Sequence, residues 1–228
     1  MPSQGIPLNY LLSMIARPKI SVVSVTPDAE YIISYCARVS NPNNQDNTDN
    51  EKLIRYLIKH QHWSPFEMAH VVMEINTTRS IAAQLLRHRS FAFQEFSQRY
   101  ADVSLMDFAS PPHLRRQDTK NRQNSIDDLS ADRTSLFYRR AALLFADSED
   151  LYREMVSSGI AKECARDILP LATPTRLYMA GSVRSWLHYI DLRSANGTQL
   201  EHQQIALKCK ELLTEKLPTV CAAMWPTS

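Results

Sequence analysis

The densest chemistry in this 228-residue sequence lies in the fourteen residues Arg87 to Tyr100. They hold three arginines, a histidine, a glutamate and two serines, interleaved with four aromatic rings. A solvated helix would carry the charges without the rings, and a core helix the rings without the charges. The mixture predicts a site that grips something anionic and planar. Arginine suits that task because its planar fork matches paired phosphate or carboxylate oxygens, where lysine offers only a point charge. Arg87, Arg89 and Arg99 do not share one face of a continuous helix. The spacing therefore predicts a helix that ends near Arg89 and a turn that hands the cations to different ligand groups. The competing reading is surface arginines paired with Glu95 and Asp102.

Further polar groups cluster elsewhere. His60, His62, Ser64 and Glu67 share one turn with Trp63 and Phe66. A His-x-His pair beside a glutamate has the donor types of a zinc site, but the remaining ligands are not evident, so no metal is predicted; a polar cofactor contact and a plain solvated turn are the alternatives. Arg166 precedes Leu169-Pro170, and Arg184, His188 and Arg193 recur near one side of a later helix. These are either surface charges or further parts of a multi-anion site.

Composition narrows the field. Net charge is +2, with 44% hydrophobic and 22% charged residues, ordinary for a soluble globular chain and too balanced to imply nucleic acid. No run of about 18 apolar residues exists, and the N-terminus lacks the charged-then-apolar build of a signal peptide; no membrane and a cytoplasmic location are expected. The cysteines Cys36, Cys164, Cys209 and Cys221 form no Cys-x-x-Cys pair and read as free buried thiols. The four glycines, Gly5, Gly159, Gly181 and Gly197, cannot assemble a glycine-rich phosphate loop. Any phosphate must be held largely by arginine.

The elements that must position these groups read as one α+β domain over residues 1–228. Its core is a central, mostly antiparallel sheet packed by long helices. The first 19 residues read as irregular. Ile20 to Val25 alternates and is β-branched, which predicts a strand. Thr26 as cap and Pro27 at the first position predict a helix to about Arg38. An asparagine-rich loop covers Asn41–Asn50. Residues 50–60 form an amphipathic helix with Leu53, Ile54, Leu57 and Ile58 on one face. Val71–Thr77 is a strand, and Thr78 or Ser80 caps a helix through Leu85 and Leu86 toward the arginine motif. Residues 101–130 read as a long loop or mobile excursion. A long helix runs from about Asp132 to Ser158, with Leu136, Leu143, Leu144, Leu151 and Met155 at helical spacing and Gly159 as stop. A short helix over 161–168, a strand over 175–180, a helix over 183–192 and a last helix over 199–216 complete the chain.

The motif also resembles a known family. Arg87-His88-Arg89, then seven residues, then Ser97-x-Arg99-Tyr100 is similar to the signature of the flavin-dependent thymidylate synthases. Ala37-Arg38-Val39-Ser40, His62-x-Ser64-Pro65-Phe66-Glu67, Ala165-Arg166-x-x-Leu169-Pro170, Gly181-x-x-Arg184-x-Trp186 and Leu192-Arg193 follow in the family's order, so the resemblance covers nearly the whole chain. It implies reductive methylation of dUMP to dTMP. Methylenetetrahydrofolate would be the one-carbon donor, reduced FAD the hydride donor and NADPH the reductant of the flavin, in a homotetramer with shared active sites.

By the same resemblance, Ser40, Ser64, Glu67, Arg87, His88, Arg89, Ser90, Arg184 and His188 fall where the family contacts FAD. Gln84, Glu95, Phe96, Ser97, Gln98, Arg99, Arg166 and Arg193 fall where it contacts the nucleotide. His62 matches a histidine near flavin and folate. Arg193 resembles the arginine facing the uracil ring, where a cation stabilises charge developing on the pyrimidine. Ser97 matches a serine once considered a nucleophile; with no base visible beside it, it is assigned to substrate binding. The sequence departs from the family at Ala92, Gln94 and Ser182, where many members have serine, asparagine and asparagine. Each departure changes a hydrogen bond at the cofactor edge.

Three other readings compete with this one. A single-strand-binding module would use arginines and rings to hold phosphates and stack bases, but no basic stripe accompanies them. The cysteine-dependent thymidylate synthase performs related chemistry through a thiolate, but no cysteine lies near the arginine cluster. A purely structural oligomer leaves the motif unexplained.

Overall fold

The computed structural model describes residues 18–107 and 109–226. Most of the N-terminal stretch read as irregular lies outside the described residues. Four strands, β1 (Lys19–Val25), β2 (His70–Thr78), β3 (Ala92–Glu95) and β6 (Pro174–Ser182), form a sheet in the order β1-β2-β6-β3. The neighbours run antiparallel. Thr26 N–H reaches the His70 carbonyl at 2.9 Å, Val183 N–H the Ala69 carbonyl at 2.8 Å, and Phe96 N–H the Arg176 carbonyl at 2.8 Å. Side chains alternate along the strands: Val71, Met73, Ile75, Leu177 and Met179 are fully buried, as the two-residue period of a pleated strand requires. The described residues fall into two compact units, one with 76–85 and 95–176, the other with 19–75, 86–94 and 177 onward.

The second unit carries α1 (Ala29–Ala37), α2 (Asn50–Lys59), α6 (Val183–Ser194), α7 (Leu200–Lys216) and α8 (Pro218–Met224). Helix α1 starts later than Thr26-Pro27 implied. The Thr26 hydroxyl is engaged at the strand end, accepting from His70 N–H at 2.8 Å, and Asp28 in a left-handed turn (φ 50°) begins the helix instead. In α2 the burial of Ile54 and Leu57 follows the amphipathic pattern. Helix α6 starts at Ser182, whose hydroxyl accepts from Ser185 N–H at 3.2 Å, and it buries Trp186, whose indole N–H reaches the Val71 carbonyl at 3.0 Å. Helix α8 is an addition to the expected elements, the last of which was the helix over 199–216. Proline suits a first helical position, and Glu30 accepts the Val220 N–H at 2.9 Å to satisfy one exposed donor there.

The first unit carries α3 (Arg79–Leu85), α4 (Ala131–Ser157) and α5 (Lys162–Ala165), with a core of Val103, Tyr152 and Ala165. The start of α3 is capped by backbone as well as hydroxyls. Arg79 and Ser80 donate their N–H groups to the carbonyls of Thr173 and Leu171 at 2.9 and 3.0 Å, while Thr78 and Ser80 bond each other at 2.8 Å. Gly159 (φ 85°) ends α4 by accepting the left-handed conformation that lets Gly159 and Ile160 N–H reach Val156 and Met155 carbonyls. Of the apolar residues expected along one face of α4, Met155 packs against the core of this unit, whereas Leu136, Leu143, Leu144 and Leu151 are exposed among the described residues, as is Phe137; the side the helix buries carries Thr134, Tyr138 and Tyr152 instead.

Residues 101–130 hold more structure than a loop. Strands β4 (Arg116–Gln117) and β5 (Ser125–Ile126) pair antiparallel, and Arg116 grips Asp128 through Nε and Nη2 at 2.9 and 2.6 Å. The Asp118 carboxylate ties the turn by accepting from Lys120 N–H and the Asn124 amide.

Candidate active site

The Arg87–Tyr100 stretch is not a helix extension. Helix α3 stops at Leu85, four residues before the expected end, and the chain turns through 86–91 into β3, a strand the sequence reading lacked. The cause is Phe91, which is buried against Trp186 and Tyr189 with ring centroids at 5.0 and 5.9 Å and so pulls the turn inward. One of the four rings is thus committed to packing.

In the second unit, the loop and the N-terminal half of α6 frame a cleft of about 440 Å³ lined by Trp63, Glu67, Ser90, Arg184, Ser185, His188, Asp191 and Met224. Glu67 closes a 3-10 turn (Ser64–Glu67), and its carboxylate holds Arg184 Nη1 at 2.9 Å across 117 residues of sequence. Ser185, one turn into α6, donates its hydroxyl to the Ser90 carbonyl at 3.3 Å. The donor set suits a large ligand with both anionic oxygens and N–H groups: a guanidinium, an imidazole and hydroxyls, with a carboxylate acceptor opposite. A flavin dinucleotide is such a ligand. Ser40, His62 and Ser64 are exposed; His62 stacks edge-on to Tyr56 with centroids at 6.1 Å. Arg87 and Arg89 are exposed on the turns.

Beside the cleft residues in sequence, His88 and Arg193 form a second group in the same unit. Arg193 Nε donates to His88 Nε2 at 3.0 Å. The imidazole stands edge-on to Tyr189 at 4.9 Å and to His202 at 6.1 Å. Burial, helped by the Arg193 charge, pushes His88 down to about 4, and the same two causes push His202 down to about 4. Both imidazoles are neutral near pH 7. Burial also drives the Tyr189 phenol well above its ordinary range.

In the first unit, Glu95 is the centre. Its Oε1 accepts from Arg79 Nη1 at 2.5 Å and from Thr175 Oγ1 at 2.9 Å. Phe96 is fixed by its backbone bond to Arg176, Gln98 is buried, and Ser97 is exposed with its carbonyl accepting from Tyr100 and Ala101 N–H. Arg99 pairs with Glu163 through Nε and Nη2 at 3.0 and 2.9 Å. Arg166 opens a 3-10 turn beside Asp167, and Gln84 lies half-buried on α3. The surface-pair alternative is thereby reassigned: Glu95 binds Arg79 and Asp102 caps Ser104 N–H.

Each group contains partners that sequence reasoning did not select: Arg79 and Thr175 around Glu95, Trp63, Ser185 and Asp191 in the cleft, Tyr189 and His202 around His88. Only Ser185 had an indirect signal, since Ser182 before an apolar run is a helix-cap candidate and places Ser185 in the first turn. The cysteines divide. Cys209 and Cys221 are buried, whereas Cys164 is exposed and Cys36 half-buried, which corrects the expectation of four buried thiols. Burial pushes the Cys221 thiol up to about 11 and Cys209 higher still.

An α+β chain with these three polar groups has the donors a large anionic ligand needs, and comparison with known proteins supplies the family. Residues 21–219 match the model of the thymidylate synthase complementing protein family. The chain is 49% identical over 218 residues to a probable flavin-dependent thymidylate synthase of Paramecium bursaria Chlorella virus 1, covering 95% of this chain and 99% of that one. It is 48% identical over 210 residues to the flavin-dependent thymidylate synthase of a Synechocystis strain, covering 92% and 96%. The solved structure of the UMP/dUMP methylase PolB from Streptomyces cacaoi, bound with 5-Br dUMP, superposes with a TM-score of 0.80 at 25% identity, covering 91% and 94% of the two chains. The chain belongs to the flavin-dependent thymidylate synthase family.

Proposed function

We propose that the protein catalyses the reductive methylation of dUMP to dTMP, with methylenetetrahydrofolate as one-carbon donor, FAD as hydride carrier and NADPH as its reductant. The observation that carries this reading is the meeting of Glu67, Ser90, Arg184 and His188 at one cleft. Three separate segments deliver residues that the family resemblance assigns to FAD. The curated relatives near half identity are named for thymidylate synthesis, which favours dUMP over the UMP that PolB also methylates.

When bound and reduced, FAD supplies the hydride that turns a transferred methylene into a methyl. The chain's own residues bind and orient. Glu67 holds Arg184 in place so that its remaining donors meet anionic oxygens, and His188 and Ser90 add polar contacts at the same cleft. Glu95, Ser97, Gln98, Arg99 and Arg166 take the nucleotide, and Arg193 stabilises negative charge on the pyrimidine as C5 becomes nucleophilic. His62 serves the flavin–folate side. No enzyme nucleophile is needed. Among the described residues Ser97 has no hydrogen-bonded base, and the buried thiols of Cys209 and Cys221 resist ionisation.

The working form is a cytoplasmic homotetramer of one-domain subunits with shared sites. The exposed apolar stripe Leu136, Phe137, Leu143, Leu144 and Leu151 on α4 supports association, since such stripes are rarely left to water. Among the described residues no helix is long and apolar enough to cross a membrane. The deciding test is the spectrum of the purified protein. A yellow preparation with a flavin spectrum, bleached by NADPH and forming dTMP when dUMP and methylenetetrahydrofolate are added, is expected. A colourless protein that refuses added FAD would sink the reading.

A further inference from the structure

Arg193 occupies the last turn of α6, half-buried, and its hydrogen bond to His88 Nε2 is its one side-chain bond among the described residues. No carboxylate among the described residues pairs with it. A guanidinium in that state, flanked by imidazole and phenol rings, gains most from an anionic oxygen brought by a ligand. How well it meets that oxygen depends on its orientation, and orientation depends on His88.

The His88 ring is confined by neighbours. It stands at 88° to Tyr189 with centroids 4.9 Å apart, and at 87° to His202 with centroids 6.1 Å apart. The lone pair on Nε2 lies in the plane of its ring, so a fixed ring fixes the direction from which Arg193 Nε–H approaches. Because the guanidinium is planar, one anchored N–H sets the plane of the other four.

We propose that His88 is a positioning residue for Arg193: by accepting the Nε–H it orients the guanidinium and reserves the Nη1 and Nη2 hydrogens for a single oxyanion on the bound pyrimidine. The proposal rests on the reading of Arg193 as the pyrimidine-facing cation. It gives His88 a task beyond the flavin contact that the family resemblance implies. The lowered proton affinity of His88 fits this task, because a protonated imidazole has no acceptor at Nε2 and would place a second cation 3.0 Å from the first.

The test uses the full-length protein loaded with FAD. His88→Phe keeps a ring between Tyr189 and His202 but removes the acceptor; His88→Gln returns an acceptor oxygen at similar reach. FAD content is read by absorbance, and dTMP formation per bound flavin is measured across dUMP concentrations, in both the native and Arg193→Ala backgrounds. Per bound flavin, and whatever its flavin content, His88→Phe should lose about 100-fold in kcat with KM for dUMP changed less than about threefold. His88→Gln should recover about tenfold of that loss, and in the Arg193→Ala background His88→Phe should cost nothing more.

Wild-type turnover per bound flavin in His88→Phe, a defect that adds in full to that of Arg193→Ala, or glutamine no better than phenylalanine would each overturn the proposal. If Arg193→Ala itself turns over normally, the pyrimidine-facing reading fails as well, and that result is distinct from the others. Should His88→Phe not fold, glutamine against His88→Asn, whose oxygen stops short of Arg193, carries the same comparison.

Discussion

Gly181 and Phe91 approach so closely that a Cβ on residue 181 would stand 2.5 Å from Phe91 Cδ1 and 2.7 Å from Cε1. Phe91 cannot retreat, because Trp186 and Tyr189 pack behind it. Glycine is needed here for packing, not for a phosphate. Gly181→Ala should therefore destabilise the protein by about 2 kcal/mol through overpacking, seen as a lower urea midpoint at unchanged slope. Adding Phe91→Leu should return part of the loss; strictly additive losses would contradict the contact.

Arg184 and Glu67 are an exposed pair, with side-chain exposures of 50% and 38%. Exposed pairs contribute only about 0–1 kcal/mol, so Arg184→Ala should barely move the unfolding midpoint. If Arg184 meets the cofactor as proposed, the same change should weaken FAD binding roughly tenfold or more through the loss of charge-assisted bonds. Titration followed by flavin fluorescence reads the affinity. An unaltered dissociation constant would take Arg184 out of the flavin site.

Arg79 and Thr175 converge on one oxygen of Glu95, which is largely buried. Arg79→Met leaves that carboxylate without its counter-charge and its aim. The KM for dUMP should rise roughly tenfold, with FAD content unchanged. Steady-state kinetics at saturating folate measure it, and a normal KM would show that Glu95 does not serve the nucleotide.

Serine at Cys36 or Cys164, both reachable by solvent, should leave dTMP formation at the native rate. Alanine at Cys209 or Cys221 removes a buried sulfur and should cost about 1–2 kcal/mol of stability, yet leave turnover per folded, flavin-loaded molecule intact. Loss of synthesis in any one of the four variants would restore the thiolate mechanism.

His88 and His202 are held neutral with proton affinities lowered to about 4 from 6.5. The unfolded chain then binds more protons than the folded one between those values, so stability is full above pH 6.5 and falls as the pH drops toward 4. The more enclosed His202 alone accounts for roughly 3 kcal/mol at most over that window. Urea midpoints from pH 7 to 4 should decline, and His202→Gln should flatten the slope. A level profile in the native protein would show that these imidazoles are not held neutral by the fold.

Much of the secondary structure was legible because it rests on local signals. The alternation from Ile20 to Val25, the amphipathic spacing of Ile54 and Leu57, and Gly159 at the end of α4 each specify an element within a few residues. The misreadings arose where a residue had two available uses. Thr26 caps a helix in many sequences but here serves the sheet at His70, and Pro218 both ends one helix and begins another. The β3 strand was hidden because its four residues, Ala92 to Glu95, become a strand only beside β6.

The chemical inventory is written in residue types and spacing: arginines in place of glycine loops, a histidine between Arg87 and Arg89, and a signature consistent with the family match over residues 21–219. Residue type and spacing suffice for that, since they set which bonds are available. Which of those bonds are made depends on the folded chain. It brought Glu67 to Arg184, Arg79 to Glu95 and His88 to Arg193, and it turned Phe91 into the core. Those pairings span up to 117 residues, and no local propensity encodes a partner at that distance. Chain reversal through an antiparallel sheet does.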